Sequence, residues 1–216
     1  GPAAAEYLQP FQDVVYEIGL TPNRMDAMSH WGVARDVCAY LSHHDKKDLK
    51  PKLPNSNNFK ADNTSFVIDV KVENESACPR YSGISIDNVT IKESPKWLQQ
   101  KLKAIGLRPI NNIVDITNFI QHETGQPLHA FDADAIGGRK VIVKFLPEGS
   151  KFVTLDEKER KLSSEDLMIC DEKEGMCIAG VFGGLHSGVT EKTKNIFLER
   201  ACFDSNTIRK TSFRHG

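Results

Sequence analysis

The 216-residue sequence lacks several features that would assign it to a class at once. It has no apolar run near the roughly 20 residues that a membrane helix needs, and no N-terminal signal peptide, so we expect a cytoplasmic protein. A basic excess is also missing, since the formal net charge is -1. Proteins that hold nucleic acid by electrostatics alone are usually basic. Any RNA contact should therefore be local or shared with another domain.

Metal-binding and nucleotide-binding patterns are missing as well. The five cysteines are odd in number and form no CxxC pair, which argues against a zinc site and favours reduced thiols. Asp115, Asp132 and Asp134 do not have the spacing of a calcium loop. The glycine-rich stretch 180–188 lacks the Lys-Ser/Thr ending of a P-loop, and no GxGxxG occurs. We therefore predict no metal and no cofactor in this domain.

What the sequence does contain is a mixture of helical and strand patterns. Helices are predicted at about 26–41, 94–106 and 111–123, with a last one from Asp204 or Ser205. Strands are predicted at 13–18, 65–72, 80–86, 141–145, 152–155, 167–170, 176–181 and 196–201. Two central helices between groups of strands argue for an α+β sandwich.

The helix ends and the helix faces are predicted from local signals. Ser94 is the expected N-cap of the second helix, with Pro95 in its first turn, and Gly106 and Gly125 should end the second and third helices. The apolar face of the first helix is predicted to consist of Trp31, Ala34, Val37, Cys38 and Leu41. That of the third should consist of Ile113, Ile116, Phe119 and Ile120.

The chain is predicted to be a module of a longer protein. It opens with Gly1-Pro2 and stops at Gly216, just after the last predicted helix begins. We predict a strand-helix lead-in at 1–45, a polar connector at 46–64 that is rich in proline and asparagine, and a main sandwich at 65–216.

Three stretches are too unusual to be scaffold alone: 106–118 running on to 125–132, then 179–189 and 196–203. With EIGLTPNRMD at 17–26, GVARD at 32–36 and CPRYSG at 78–83, they resemble the B3/B4 region of the bacterial-type phenylalanyl-tRNA synthetase beta subunit. The resemblance covers nearly the whole chain. It implies a layered β-sandwich with helices packed on one side, which is a three-layer ββα arrangement.

The resemblance also implies a set of site residues. The editing pocket of this family corresponds to Arg108, Thr117, Asn118, His129, Gly183 and Glu199. By this resemblance His129, Asn118 and Thr117 are catalytic, and Arg108, Gly183 and Glu199 bind the substrate. The family's sequence continues past the RRHG-like segment to a Thr-Asp-Ala-Ser stretch that also lines the pocket. This chain stops at Gly216, so one wall is expected to be missing.

The function implied is editing. Such a module hydrolyses the ester that joins a misactivated tyrosine to the 3′ end of tRNA-Phe. Its further partners would be an alpha subunit and the remaining beta-subunit domains, and ATP and magnesium are expected only for the full-length enzyme. The alternatives are a non-catalytic scaffold for tRNA or subunits, and a free-standing deacylase.

Each candidate residue also has a simpler interpretation. Glu199 suits an acceptor for a tyrosine hydroxyl, but it could equally be a surface residue paired with Arg200, and the alternation along 196–199 does not decide which face is buried. His129 is either a hydrogen-bonded core residue or the group that orients the ester and water.

The remaining candidates are equally open. Arg108 either anchors a phosphate or ribose, or forms a salt bridge between two helices. Thr117 and Asn118 face either a cavity or solvent. The loop around Gly183 either lets backbone approach a ligand or only connects strands, and its His186 is expected to be structural or exposed.

Overall fold

The computed structural model describes residues 3–4 and 11–216. The chain forms two compact units: Gly1–Pro54 with Lys92–Gln126, and Asn55–Ile91 with Pro127–Gly216. We call them the helical unit and the sheet unit. This division differs from the predicted boundary at residue 65, because the segment 92–126 groups with the N-terminal residues. The Gly1-Pro2 opening lies outside the described residues. No helix in the described part of the chain is long and apolar enough to cross a bilayer.

The helical unit contains three α-helices within residues 11–54 and 92–126. They are α1 (His30–His44), α2 (Lys96–Ala104) and α3 (Asn112–Thr124). A short 3-10 helix, Met25–Ala27, precedes α1. The predicted continuous helix from residue 26 is therefore wrong at its start, since Ser29 interrupts it and caps α1 by accepting a hydrogen bond from the Gly32 amide at 2.9 Å.

Local signals set the ends of α3. The Asn111 side chain accepts hydrogen bonds from the amides of Ile113 and Val114, at 3.1 and 3.0 Å. Gly125 ends the helix at φ 79°, in the left-handed region that glycine adopts without strain. These two predicted ends are confirmed. The predicted apolar stripe is wrong at Ile116, whose side chain is 45% exposed.

Three other predictions fail in the helical unit. Val37, predicted on the apolar face of α1, is 50% exposed. No strand forms over residues 13–18, because every strand among the described residues lies in the sheet unit and a period-two pattern needs a partner strand. Ser94 is not the N-cap of α2, because Pro95 occupies that position. The hydroxyl of Ser94 instead donates to Asp115 at 2.5 Å.

Strands dominate the sheet unit. In chain order they are β1 (Asp69–Val72), β2 (Arg80–Ile86), β3 (His129–Asp132), β4 (Lys140–Phe145), β5 (Lys151–Val153), β6 (Glu159–Lys161), β7 (Leu167–Cys170), β8 (Gly175–Ile178), β9 (Phe182–Gly183) and β10 (Ile196–Cys202). The short strands β3, β6 and β9 were not predicted from the sequence. One α-helix, α4 (Ser205–His215), follows β10 and begins at Asp204, whose carboxylate accepts from the Thr207 amide at 2.8 Å.

The strands form three sheets: β1-β4-β7-β8-β9, β2-β10-β3 and β5-β6. The five-stranded and three-stranded sheets share one core, in which Val141, Val143 and Ile169 pack with Phe131 and Phe197. A second core covers the opposite face of β7 and β8, where the β5–β6 hairpin contributes. The predicted α+β class is confirmed, with layered sheets in this unit.

The middle strand of the three-stranded sheet is β10. It pairs antiparallel with β2 on one side and with β3 on the other. Gly83 lies opposite Glu199, and a Cβ on that glycine would be 2.0 Å from the ring of Phe197. Gly83 is therefore required for the Phe197 ring to lie flat over β2.

Candidate active site

A single row of residues across the three-stranded sheet brings two predicted site residues together. His129 on β3 is the direct partner of Glu199 on β10. Directly paired residues have side chains on the same face of a sheet, with Cβ atoms roughly 5 Å apart. Sequence reasoning could not make this link, because 70 residues separate the two positions and β3 was not predicted.

A cavity of about 250 Å³ opens beside this row. Its lining includes His129, Glu199 and Gly183, together with apolar side chains from the segments around them: Leu128, Val181, Phe182 and Phe203. An apolar cavity of roughly 150 Å³ is enough to hold a benzene ring. This cavity therefore has the size and lining for one substituted aromatic side chain, with a carboxyl and an imidazole as its polar groups.

Glu199 is a buried carboxyl that has no cationic partner among the described residues. Its side chain is 7% exposed, and the Oε2 atom is fully buried without a hydrogen-bond partner in the described structure. Burial raises the pKa of Glu199 to about 7, against a smaller lowering by the nearby Tyr81 hydroxyl. That hydroxyl is close enough to affect the carboxyl, but it makes no hydrogen bond of good geometry and is itself unpartnered. The surface interpretation of Glu199 is therefore excluded.

His129 packs against an aromatic neighbour, and one of its ring nitrogens has no hydrogen-bond partner among the described residues. Its ring meets the Phe131 ring edge-on, with centroids 4.5 Å apart, and its Nε2 atom is buried without a partner among the described residues. Burial lowers the pKa of His129. The imidazole is therefore neutral near pH 7, with one ring nitrogen that donates and one that accepts.

Gly183 sets the width of the cavity next to His129. A Cβ at this position would be 2.8 Å from Cδ1 of Leu155 and 3.3 Å from Cε1 of His129. A larger residue would therefore push into the space between these two side chains. His186, in the loop that follows β9, is exposed.

Arg108, Thr117 and Asn118 belong to the helical unit. Arg108 is exposed in the connection between α2 and α3, and none of the ion pairs among the described residues includes it. The Thr117 hydroxyl, half-buried on α3, donates to the Val114 carbonyl at 2.8 Å. Asn118 is also half-buried.

Asp115 is a residue of this region whose role the sequence did not reveal. It is fully buried on α3 and accepts hydrogen bonds from the Ser94 hydroxyl at 2.5 Å and from the Ile110 amide at 2.8 Å. The second bond fixes the backbone two residues after Arg108. Asp115 therefore positions the segment that carries Arg108, and the misassigned Ser94 is its partner.

The helical unit also has a larger cavity, of about 740 Å³. It is lined mainly by apolar side chains, among them Tyr16, Trp31, Leu102 and Phe119. None of the predicted site residues lines it. Size alone therefore does not identify the site, and the smaller cavity is the one that combines convergent polar groups with perturbed pKa values.

The B3/4 domain family matches residues 77–216 of this chain. That range includes all the predicted site residues and the whole row across β2, β10 and β3. The chain belongs to the B3/4 domain family.

Curated relatives are similar along the full chain. It is 56% identical to the phenylalanine–tRNA ligase beta subunit of Bacteroides thetaiotaomicron over 100% of this chain and 26% of the relative. It is 47% identical to that of Bacillus subtilis over 93% of this chain and 24% of the relative. The chain thus spans about a quarter of the length of these relatives.

A solved structure is also similar. It is an N-terminal fragment of the phenylalanyl-tRNA synthetase beta-subunit from Pyrococcus horikoshii, with a TM-score of 0.48 and 16% identity over 90% of this chain and 59% of that chain.

Proposed function

We propose that this chain is the editing module of a phenylalanine–tRNA ligase beta subunit and hydrolyses the ester of tyrosine mischarged onto tRNA-Phe. The observation that carries the proposal is the buried, unpartnered carboxyl of Glu199, which shares a cavity of ring size with His129. The family and the named relatives supply the context in which such a cavity would act.

The physical problem is to destroy tyrosine esters and spare phenylalanine esters, which differ by one hydroxyl. An apolar pocket cannot make that choice strongly, whereas a site built to hydrogen-bond the hydroxyl favours it by about 10⁴–10⁵. Glu199 would accept a hydrogen bond from the phenol. With phenylalanine bound, the buried carboxyl would lose water and gain no partner, an unfavourable difference of about 1–3 kcal/mol or more.

The chemistry proposed is direct attack by water. His129 would orient the ester and the water, since it lines the cavity and its neutral ring carries both a donor and an acceptor. Gly183 would set how much of the ring enters. Arg108 and Asn118 would position the terminal adenosine or the α-amino group, and Thr117 would be a further catalytic residue. Positioning would supply most of the rate, and the step requires no metal and no nucleotide cofactor.

In the cell, the module would work within a larger assembly. Its partners would be the 3′ end of tRNA-Phe, an alpha subunit, and the remaining domains of the beta subunit, in the cytoplasm. The alternative is a scaffold that supports tRNA or subunits without catalysis.

Deacylation of Tyr-tRNA-Phe and Phe-tRNA-Phe tests the proposal. We expect the chain to release tyrosine at least about 100-fold faster than phenylalanine. Glu199→Gln should lower the tyrosine rate by about 10- to 100-fold, because a charged acceptor for the phenol is replaced by a neutral amide oxygen. The exposed Glu191 provides the matched control, and Glu191→Gln should leave both rates unchanged. If neither this chain nor a version extended past Gly216 released tyrosine, the scaffold would be the correct function.

A further inference from the structure

Tyr81 lies on the same face of the three-stranded sheet as Glu199. It is the partner of Ala201, two residues along β10 from Glu199, while the direct partner of Glu199 is Gly83. Tyr81 and Glu199 are thus diagonal neighbours, a distance that long and aromatic side chains span. Gly83 has no side chain, and the ring of Phe197 occupies the space above it, 2.0 Å from where a Cβ would be.

Both groups are buried, and each has a polar atom without a hydrogen-bond partner. The Tyr81 hydroxyl and the Oε2 atom of Glu199 are each fully buried without a hydrogen-bond partner among the described residues. Two neighbouring polar atoms left in this way are unfavourable for the folded state. Glu199 lines the cavity, whereas Tyr81 does not, so the hydroxyl approaches the carboxyl from the side away from the ligand.

We propose that Tyr81 is a positioning residue that completes the tyrosine-selective site: its hydroxyl and the phenol of the bound tyrosine donate to the same carboxylate of Glu199. This inference rests on the proposed function, and it adds a residue that acts through Glu199 rather than on the ester. A carboxylate has about four lone-pair positions, so it accepts from two phenols at once.

The second donor changes which protonation state the site favours. A buried carboxyl without donors prefers its neutral form, because desolvation disfavours the charge. Each phenol that donates to the carboxylate stabilises the charged form. When tyrosine enters, Glu199 therefore ionises and its proton passes to the solvent. Phenylalanine brings no donor, and the carboxyl keeps its proton.

The surroundings leave Tyr81 as the neighbour able to stabilise this charge. The titratable groups that face Glu199 are Tyr81 on β2, Cys78 just before β2, Cys177 on β8 and His129 on β3. Burial and the Glu199 charge raise the pKa values of Cys78, Tyr81 and Cys177, and burial lowers that of His129, so all four are neutral at pH 7. Of these four groups, Tyr81 is the one that lowers the pKa of Glu199.

Tyr81→Phe tests the proposal, with Tyr40→Phe as control because the side chain of Tyr40 is 62% exposed on α1. The first measurement is the ¹³C titration of the Glu199 carboxyl, assigned by its absence in Glu199→Gln, with and without L-tyrosine. We expect Tyr81→Phe to move the midpoint upward by at least about half a pH unit, and Tyr40→Phe to leave it in place. An unchanged midpoint in Tyr81→Phe would overturn the proposal.

The second measurement is the pH profile of deacylation. Tyr81→Phe should lower the rate on Tyr-tRNA-Phe by about fivefold near pH 7, move the acidic limb of the profile upward, and leave Phe-tRNA-Phe unchanged. An equal loss on both substrates would indicate a merely structural role and would overturn the proposal. If neither the unaltered chain nor a version extended past Gly216 released tyrosine, the proposed function would fail, while the titration would still decide whether Tyr81 acts on Glu199.

Discussion

Glu199 and Asp166 are both buried carboxylates of the sheet unit, but their surroundings are opposite. Asp166, just before β7, is 0% exposed and pairs with Nε2 of His215 at 2.7 Å, with the Arg214 guanidinium and with the Ser163 amide at 2.8 Å. Burial acts to raise the pKa of Asp166, but these hydrogen bonds outweigh it and hold that pKa below its usual range. Glu199 has a buried oxygen without a partner and a pKa of about 7.

The difference separates stability from function. Asp166 joins the end of α4 to the sheet through groups that are all satisfied, so it contributes to folding. Glu199 is unfavourable for folding as it stands, and an unsatisfied group of this kind in a cavity is typical of a ligand site. Substitution tests this difference. Removing the carboxylate should lower the free energy of unfolding at Asp166, whereas at Glu199 it should raise the stability relative to the unaltered chain as the pH increases.

The largest effect is expected for Asp166→Asn. The amide cannot neutralise Arg214, and one of its atoms is a donor facing other donors, so the free energy of unfolding should fall by about 3 kcal/mol. Urea unfolding at pH 7 measures it. The matched control is Glu165→Gln, because Glu165 also contacts Arg214, at 3.2 Å, but its side chain is 64% exposed. That change should lower stability by less than about 1 kcal/mol. Equal losses in the two variants would contradict the account.

The second effect is expected for Glu199→Gln. This substitution should stabilise the protein relative to the unaltered chain as the pH rises, whereas Asp166→Asn should destabilise it. Because the pKa of Glu199 is raised in the folded state, this state binds more protons than the unfolded one between about pH 4 and 7. Stability is therefore lost as the pH rises through this window. The stability of Glu199→Gln relative to the unaltered chain should increase by about 2 kcal/mol from pH 5 to pH 8.

Two other groups also make stability depend on pH, but their contributions cancel when Glu199→Gln is compared with the unaltered chain. The lowered pKa of His129 adds stability as pH rises over the same window, and it is present in both proteins. The lowered pKa of Asp166 gives stability that is lost only at acid pH, as the pH falls through its folded-state pKa. Urea unfolding of both proteins at pH 5, 6, 7 and 8 provides the curves. A constant difference would mean that Glu199 is not a buried, neutral acid at pH 5.

A smaller effect is expected for Gly183→Ala, which sharpens the comparison because it changes the cavity without changing any charge. The new methyl group would crowd Leu155 and His129. We expect L-tyrosine to bind about three- to tenfold more weakly, with the free energy of unfolding lowered by less than about 1 kcal/mol, since Leu155 is 53% exposed and can move. Calorimetry and urea unfolding measure the two. Gly19→Ala is the control, because a Cβ there meets nothing within 4 Å. Unaltered affinity would mean that ligand does not approach Gly183.

The sequence predicted best what is decided locally. The caps of α3 at Asn111 and Gly125 and the start of α4 at Asp204 depend on side chains within three residues of the backbone groups they satisfy. Ser94 shows the limit, because its hydroxyl has a partner 21 residues away. The apolar segment 13–18 shows another, since a strand pattern alone cannot supply a partner strand.

The candidate site was predictable only in part for the same reason. Alternation along β10 could not decide which side chains are buried, because β10 is a central strand and Ile196, Phe197 and Glu199 are all buried. The family resemblance supplied His129, Gly183 and Glu199, which line one cavity. It did not supply Tyr81, although Tyr81 lies within the CPRYSG stretch, since its significance depends on the register of β2 with β10.

The central claim is that one buried carboxyl distinguishes two aromatic rings by a single oxygen. Titration calorimetry of L-tyrosine and L-phenylalanine against this chain and Glu199→Gln, at pH 7.5, tests it directly. The account predicts tighter binding of tyrosine by the unaltered chain and a weaker preference for tyrosine in the variant, whose uncharged amide oxygen is a poorer acceptor. A preference for tyrosine that survives Glu199→Gln unchanged would contradict it.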